Sequence, residues 1–392
     1  MSELKFPRPE GVVSDTPVSR TTGVLRVPGA DRNTTSYYRA LLEKNGFCCM
    51  MERELPSGEF FVYGNGEVKL SFAFLLQRAE MRVFYEAMPA VTDFSKSGKK
   101  IYDNVTLTQF STNTARSIVD TTSCGMGYIV RLRDGRLIVV DGGFKEGQYG
   151  DDYPEFVQLL WDLSGGKKPR VAAWILTHVH SDHFGLMAKL KPEDANIKAY
   201  FSTIPVDGWG SDYVAANLPH YAEKNVTLHA GDHYVFDKDV SLDVFYTLEE
   251  TAMYEPDNLK SCNDQSLIFT INIGEQKVMF VGDAGHHAER LAMEIAGGLV
   301  KSDVCQVGHH GRISQKDNWF YSFVAPKVAL WPSCYAQLDL DIVTRGSGSW
   351  LRGKISTVVD HYVAYDGTET LTFPYEVKGK PFRSPIADKL KK

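Results

Sequence analysis

Three imidazoles and a carboxylate crowd between His178 and His183 in the run THVHSDH. Protonated together, such imidazoles would repel one another, and buried they would each need a partner. Divalent metal ions resolve both problems at once. A lone histidine more often caps a helix or packs in a core, but four potential ligands in so short a run do not fit that reading. His178, His180, Asp182 and His183 are therefore candidate metal ligands. A bound divalent ion lowers the pKa of water toward about 7 and polarises a phosphoryl or carbonyl oxygen, which points to metal-assisted hydrolysis. Other catalytic patterns are missing: GxSxG, Walker and GxGxxG motifs do not occur, and no Ser-His-Asp arrangement is evident.

The elements around this run are suited to hold it. VAAWIL, residues 171–176, is a continuous apolar run that predicts a strand buried on both faces, and GLMAKL after the motif predicts a helix. Groups at the carboxyl end of a strand, just ahead of a helix, lie where α/β folds build their sites. The hairpin pattern YIVRLRDGRLIVVDGG turns at Asp134-Gly135. Strands then alternate with the helical candidates PEFVQLLWDL, VAANLPHYAEK, HAERLAMEIAGG and NWFYSFVAP.

Upstream lies a different organisation. Residues 1–20 are polar and proline-punctuated and read as a flexible arm. Residues 21–90 read as a small α+β domain: a strand at GVLRVPG, a helix in TTSYYRALLEKNGF capped by Asn33 or Thr34, a hairpin turning at Asn65-Gly66, and a strand at MRVFYEAMP. Residues 91–104 read as a linker, 105–376 as the domain carrying the motif, and 377–392 as a polar basic tail.

HxHxDH after a buried strand resembles the signature of the metallo-β-lactamase superfamily, and further motifs follow in the expected order. Asp141 in DGG closes the LIVV strand, Asp283 ends KVMFVGD, and DVCQVGHHG presents His309. The resemblance implies an αββα sandwich, so the fold class expected is α/β (α+β), with the small α+β domain in front. It also implies that Asp141 supports the metal loop from behind the ligands and that Asp283 bridges two metals. His178, His180 and Asp283 would hold the first metal, and Asp182, His183, Asp283 and His309 the second. Within the superfamily, NDQSL, GDAG and GHHG over residues 105–375 are most similar to the soluble hydrolase domain of the ComEC-type competence protein and its stand-alone relatives. That subgroup often carries Ser or Thr after GHHG, where this chain has Arg312 and reaches Ser314 two residues later. Many superfamily members also supply one more histidine from the stretch that here reads IKAYFSTIPVDGWG. The first site is accordingly expected to bind more weakly. His229 and His233, in an alternating strand and turn, are poor substitutes.

Two divalent ions are the expected cofactors, zinc first and manganese or iron next, since mixed imidazole and carboxylate ligands accommodate all three. Asp182 would orient the metal-activated hydroxide, and His310 would protonate a leaving group. Arg312, Arg345 and His286 are candidates for binding a substrate anion. The resemblance favours a phosphodiester in a nucleotide or nucleic-acid-like substrate. A lactone, thioester or carboxylic ester hydrolase is the first alternative, and a non-catalytic metal-containing binding or scaffold protein the second.

Composition bounds these readings. At 392 residues the chain has room for two domains without covalent staples. The six cysteines show no CxxC spacing, which fits a reducing compartment. A net charge of −6 offers no global attraction to nucleic acid or anionic membrane. No apolar run approaches the roughly 18 residues that a membrane span needs, and no secretory leader pattern opens the sequence. A cytoplasmic enzyme with a small-molecule or nucleic-acid-derived substrate and no membrane partner is expected. A homo-oligomer formed through the N-terminal domain is compatible with this.

Overall fold

A computed structural model describes residues 4–116, 124–144, 150–206, 211–218, 221–312, 319–340 and 357–382. Arg345 and Ser314 lie outside the described residues, as does the tail from residue 383 onward.

Among the described residues, six antiparallel strands form the N-terminal sheet. Their order is Ser14–Pro17, Gly23–Pro28, Glu80–Ala87, Val68–Leu75, Gly58–Gly64, Cys48–Leu55. The Asn65-Gly66 hairpin forms as the sequence suggests, with Asn65 Oδ1 accepting the backbone N–H groups of Glu67 and Val68. The helix Arg32–Lys44 packs Tyr38 and Leu42 onto one face of the sheet. Its cap is Asp31 rather than Asn33 or Thr34: Asp31 Oδ1 accepts Thr34 N–H at 2.8 Å while Thr34 Oγ1 accepts Asp31 N–H, a reciprocal capping box. Of the expected arm over residues 1–20, the described part, 4–20, is not loose. Leu4, Phe6 and Val12 pack on the sheet's apolar core, Tyr38 Oη donates to the Pro7 carbonyl, and Ser14–Pro17 pairs with Gly23–Pro28. Apolar residues scattered through a polar segment were enough to dock it.

Two further sheets face each other. One runs Asn225–Thr227, Tyr200–Ser202, Arg170–Ile175, Arg136–Asp141, Gly127–Arg131, Val105–Gln109, Glu369–Phe373. The other runs His233–Asp237, Val240–Tyr246, Ile268–Ile273, Gln276–Phe280, Val304–Gln306, Val328–Trp331, Asp360–Val363. Between them lies an apolar layer drawn from both, including Val140, Ile175, Phe201, Phe269, Phe280 and Leu330. The helices Tyr153–Leu163 and Ser181–Lys189 cover the outer face of the first sheet, and His286–Ala296 and Trp319–Val324 that of the second. This is the expected mixed α/β sandwich preceded by an N-terminal sheet. No helix among the described residues is long and apolar enough to cross a membrane.

The stretch 91–104 has no regular structure, but Phe94 is buried in the inter-sheet core and its carbonyl accepts from Arg136 Nη1. The N-terminal sheet is not tethered by this stretch alone. Its second face lies against residues 227–254 through buried polar groups: Arg82 Nη1 reaches Glu250 Oε1 at 2.5 Å, and Lys69 Nζ, paired within the sheet to Glu86 Oε1 at 2.9 Å, also donates to the Thr227 carbonyl at 3.3 Å. His229 joins them, its Nδ1 2.8 Å from Glu249 Oε2 and its Nε2 3.5 Å from Glu86 Oε1, with its ring stacked on Phe84.

Candidate metal centre

Each candidate ligand stands where a strand gives out. The strand Arg170–Ile175 runs straight into His178 and His180, and Asp182 and His183 occupy the first turn of the helix Ser181–Lys189. A carboxylate there also suits the positive end of the helix dipole. On the neighbouring strand, Asp141 leaves the sheet at φ 54° with its carboxylate fully buried. Its oxygens accept from Thr177 N–H at 2.8 Å, Thr177 Oγ1 at 2.7 Å and His183 Nδ1 at 2.7 Å.

On the second sheet, Gly282 turns at φ 54°, where a Cβ would come within 3.0 Å of Thr177. Gln306 holds that turn. Its Oε1 accepts the N–H groups of Val281 and Gly282, and its Nε2 donates to the carbonyls of Gly282 and Val307. Ser266 Oγ accepts Asp283 N–H, which fixes the next residue. The GHHG turn then runs through positive φ at His309, His310 and Gly311. A Cβ at Gly311 would lie 2.7 Å from Leu338 Cδ2, so glycine alone closes this turn without moving its neighbours.

The turn decides which histidine faces inward. The family pattern led us to expect His309 among the second set of ligands and His310 as a proton donor. In the structure His310 is the buried one; its Nδ1 donates to the Pro332 carbonyl at 2.8 Å, and its Nε2 lies 3.2 Å from Asp182 Oδ2 and 3.6 Å from Asp283 Oδ2. His309 is one-fifth exposed; its Nε2 is 3.9 Å from Asp283 Oδ2 and 3.3 Å from Asn263 Nδ2.

Among the described residues, two groups capable of holding a cation result. Asp182, His183, Asp283 and His310 present ligand atoms all within 4.8 Å of one another, and so do His178, His180 and Asp283. Asp283 belongs to both. A divalent ion fits the atoms present: the buried Nε2 of His183 and Oδ1 of Asp283 face each other at 3.3 Å, yet among the described residues neither makes a well-formed hydrogen bond, a costly state that an ion between them would relieve. His183 and His310 each give Nδ1–H to an oxygen outside the cluster, which leaves Nε2 as the inward ligand atom, the arrangement that metal-binding histidines generally adopt.

The electrostatics tell the same story. Burial opposes charge on Asp283, yet His183, His310 and His309 outweigh it and hold the carboxyl well below the usual carboxylate range. Asp182 is held down in the same way by His183 and His310. Burial likewise opposes charge on His183, but Asp283, Asp182 and Asp141 together hold it well above an ordinary imidazole. Burial, reinforced by His183, pushes His178 well below. The cluster thus gathers positive charge beside its carboxylates, which is the service a divalent cation would perform.

The remaining candidates stand elsewhere. His286 is exposed and its Nδ1 accepts the Trp319 indole N–H at 2.6 Å, and Arg312 Nη2 donates to Gln337 Oε1 at 3.2 Å. His229 and His233 bond carboxylates away from the cluster. At the strand end that lacks the extra histidine, Ser202 Oγ donates to Asn225 and Thr203 Oγ1 to the Leu228 carbonyl, so among the described residues this edge adds no ligand. Sequence reasoning missed Thr177, Ser266, Gln306 and Asn263; their adjacency to the motifs was the available signal.

The family model described as the metallo-beta-lactamase superfamily matches residues 125–329. No curated protein matches the sequence. Among solved structures, a variant of the β-hydroxylase CmlA is similar over 70% of this chain and 54% of its own, at 10% identity and a TM-score of 0.37. The chain therefore spans about half the length of that neighbour. With its motif strand, both candidate ligand groups and the GHHG turn inside the matched segment, the chain belongs to the metallo-beta-lactamase superfamily.

Proposed function

We propose that this chain is a binuclear metal-dependent hydrolase acting on a phosphodiester, in a nucleotide or nucleic-acid-like substrate. The observation that carries the reading is the pair of ligand groups sharing Asp283. Divalent ions bound there would supply a water nucleophile at neutral pH and Lewis acidity at the scissile group. Zinc is the first candidate, with manganese or iron next.

The chain's own residues divide the remaining work. Asp141 and the Pro332 carbonyl fix the tautomers of His183 and His310. Asp182, ionised and at a helix start, is the group to orient an attacking water. His310 is too deeply buried to meet a leaving group and serves as a ligand. His309, which reaches solvent, is the histidine to hand a proton outward, and it also stands as far from Asp283 Oδ2 as His178 does, 3.9 Å, within reach of the sparser first group. The phosphodiester preference rests on the likeness of NDQSL, GDAG and GHHG to ComEC-type hydrolase domains. Turnover of bis-p-nitrophenyl phosphate by metal-loaded protein, with lactones and thioesters left intact, is the expected result. Turnover of the esters alone would transfer the reading to carboxylic substrates.

A further inference from the structure

The N-terminal sheet does more than dock. Its edge is stitched to the loop that follows the strand Tyr200–Ser202 and to the end of the neighbouring strand Asn225–Thr227: Ser19 bridges Pro205, Arg20 N–H donates to the Ile204 carbonyl at 3.3 Å, and the Thr21 and Thr227 hydroxyls meet at 2.7 Å. This is the carboxyl edge of the sheet that carries His178 and His180, where α/β folds place their ligands. Between the two units lies a pocket of about 380 Å³, a volume in the range that holds small molecules. Thr16 and Val24 form its N-terminal wall, and Val206, Ala252 and Leu259 the opposite one.

Gln265 lines the pocket as well. It is 3% exposed, and among the described residues its Oε1 has no hydrogen-bond partner. The residues beside it face the metal centre: Asn263, on the same short helix Cys262–Gln265, touches His309, and the Ser266 hydroxyl holds Asp283. The segment Cys262–Ser266 thus borders both places, lining the pocket through Gln265 and touching the metal centre through Asn263 and Ser266.

We propose that this pocket binds the nucleobase of a substrate whose phosphodiester lies at the metal centre, so that the N-terminal module helps to set specificity. The proposal rests on the phosphodiesterase reading. A carboxamide offers one acceptor and two donors side by side, complementary to the amide-like edge of a base. The aliphatic walls suit its flat faces. The pocket does not suit the phosphate itself, because the guanidinium that lines it, from Arg26, already gives both Nε and Nη2 to Glu80 Oε2, at 3.0 and 2.7 Å.

Thr16→Trp and Ala252→Phe would fill the pocket from opposite walls, starting from an exposed and a half-buried position. Metal-loaded protein is assayed with bis-p-nitrophenyl phosphate, which has no base, and with the p-nitrophenyl ester of thymidine monophosphate, which has one. Calorimetry measures thymidine monophosphate binding in parallel. Both variants should raise KM for the thymidine ester, and weaken nucleotide binding, by about ten-fold or more, with kcat and the base-free reaction unchanged. Unchanged KM and unchanged nucleotide affinity in both variants would overturn the pocket while leaving the phosphodiesterase reading intact. If wild-type protein cleaves neither ester, that reading fails instead. The pocket is then judged on calorimetry alone: weakened binding in the variants supports it, and unchanged or undetectable binding to wild type overturns it.

Discussion

The carboxylate of Asp141 accepts the Nδ1–H of His183 at 2.7 Å, both groups fully buried, so the opposite ring nitrogen is committed to the interior of the cluster. A residue that touches no cation thereby determines how one would be bound. Asp141→Asn keeps the shape but replaces with a donor one of the two oxygens that accept Thr177 N–H and His183 Nδ1–H. Loss of such a partner generally weakens metal binding by about 10–100-fold. Chelator competition on the variant should show a loss of that order, with the folded structure retained by circular dichroism.

The inward turn of His310 separates it from its neighbour. Replacing His310 with alanine should remove about one equivalent of metal. His309→Ala should lose less metal and relatively more turnover. Elemental analysis beside steady-state kinetics distinguishes them, and the reverse ranking would restore the assignment expected from the family pattern.

Much of this centre was legible because its ligands are local in sequence. THVHSDH needs only one strand end and one helix start to converge, and the strands before Asp141 and Asp283 are apolar runs that fix where those carboxylates emerge. The choice between His309 and His310 was not legible. It depends on consecutive left-handed residues and on a carbonyl from Pro332, beyond the next strand. The docking of the N-terminal sheet was hidden for another reason. Lys69, Arg82 and Glu86 alternate with apolar residues as a solvent-facing row would, and only their distant partners, the Thr227 carbonyl, Glu250 and His229, show that the row is buried.

That buried row has a measurable consequence. Arg82 and Glu250 are almost wholly enclosed, so Arg82→Met leaves a carboxylate without its counter-charge. The expected loss is about 3–5 kcal/mol in urea unfolding. Adding Glu250→Leu should recover most of it, because two apolar groups replace the pair.

His229 should give the protein a pH-dependent term. Burial opposes its charge, but Glu249 and Glu86 overcome this and raise its pKa from 6.5 to about 9. A raised pKa contributes stability that is complete below pH 6.5 and is lost as the pH climbs through about 9. The full contribution is on the order of 3 kcal/mol. Unfolding of wild type and His229→Gln should therefore differ most at pH 6 and converge by about pH 10. A gap independent of pH would mean that His229 packs without carrying charge.

The most direct measurement is metal content by elemental analysis of the purified protein and its His180→Ala and Asp283→Ala variants. Because Asp283 serves both ligand groups, we predict about two equivalents in wild type, about one in His180→Ala and almost none in Asp283→Ala. Two equivalents retained by Asp283→Ala, or none bound by wild type, would contradict a shared binuclear centre.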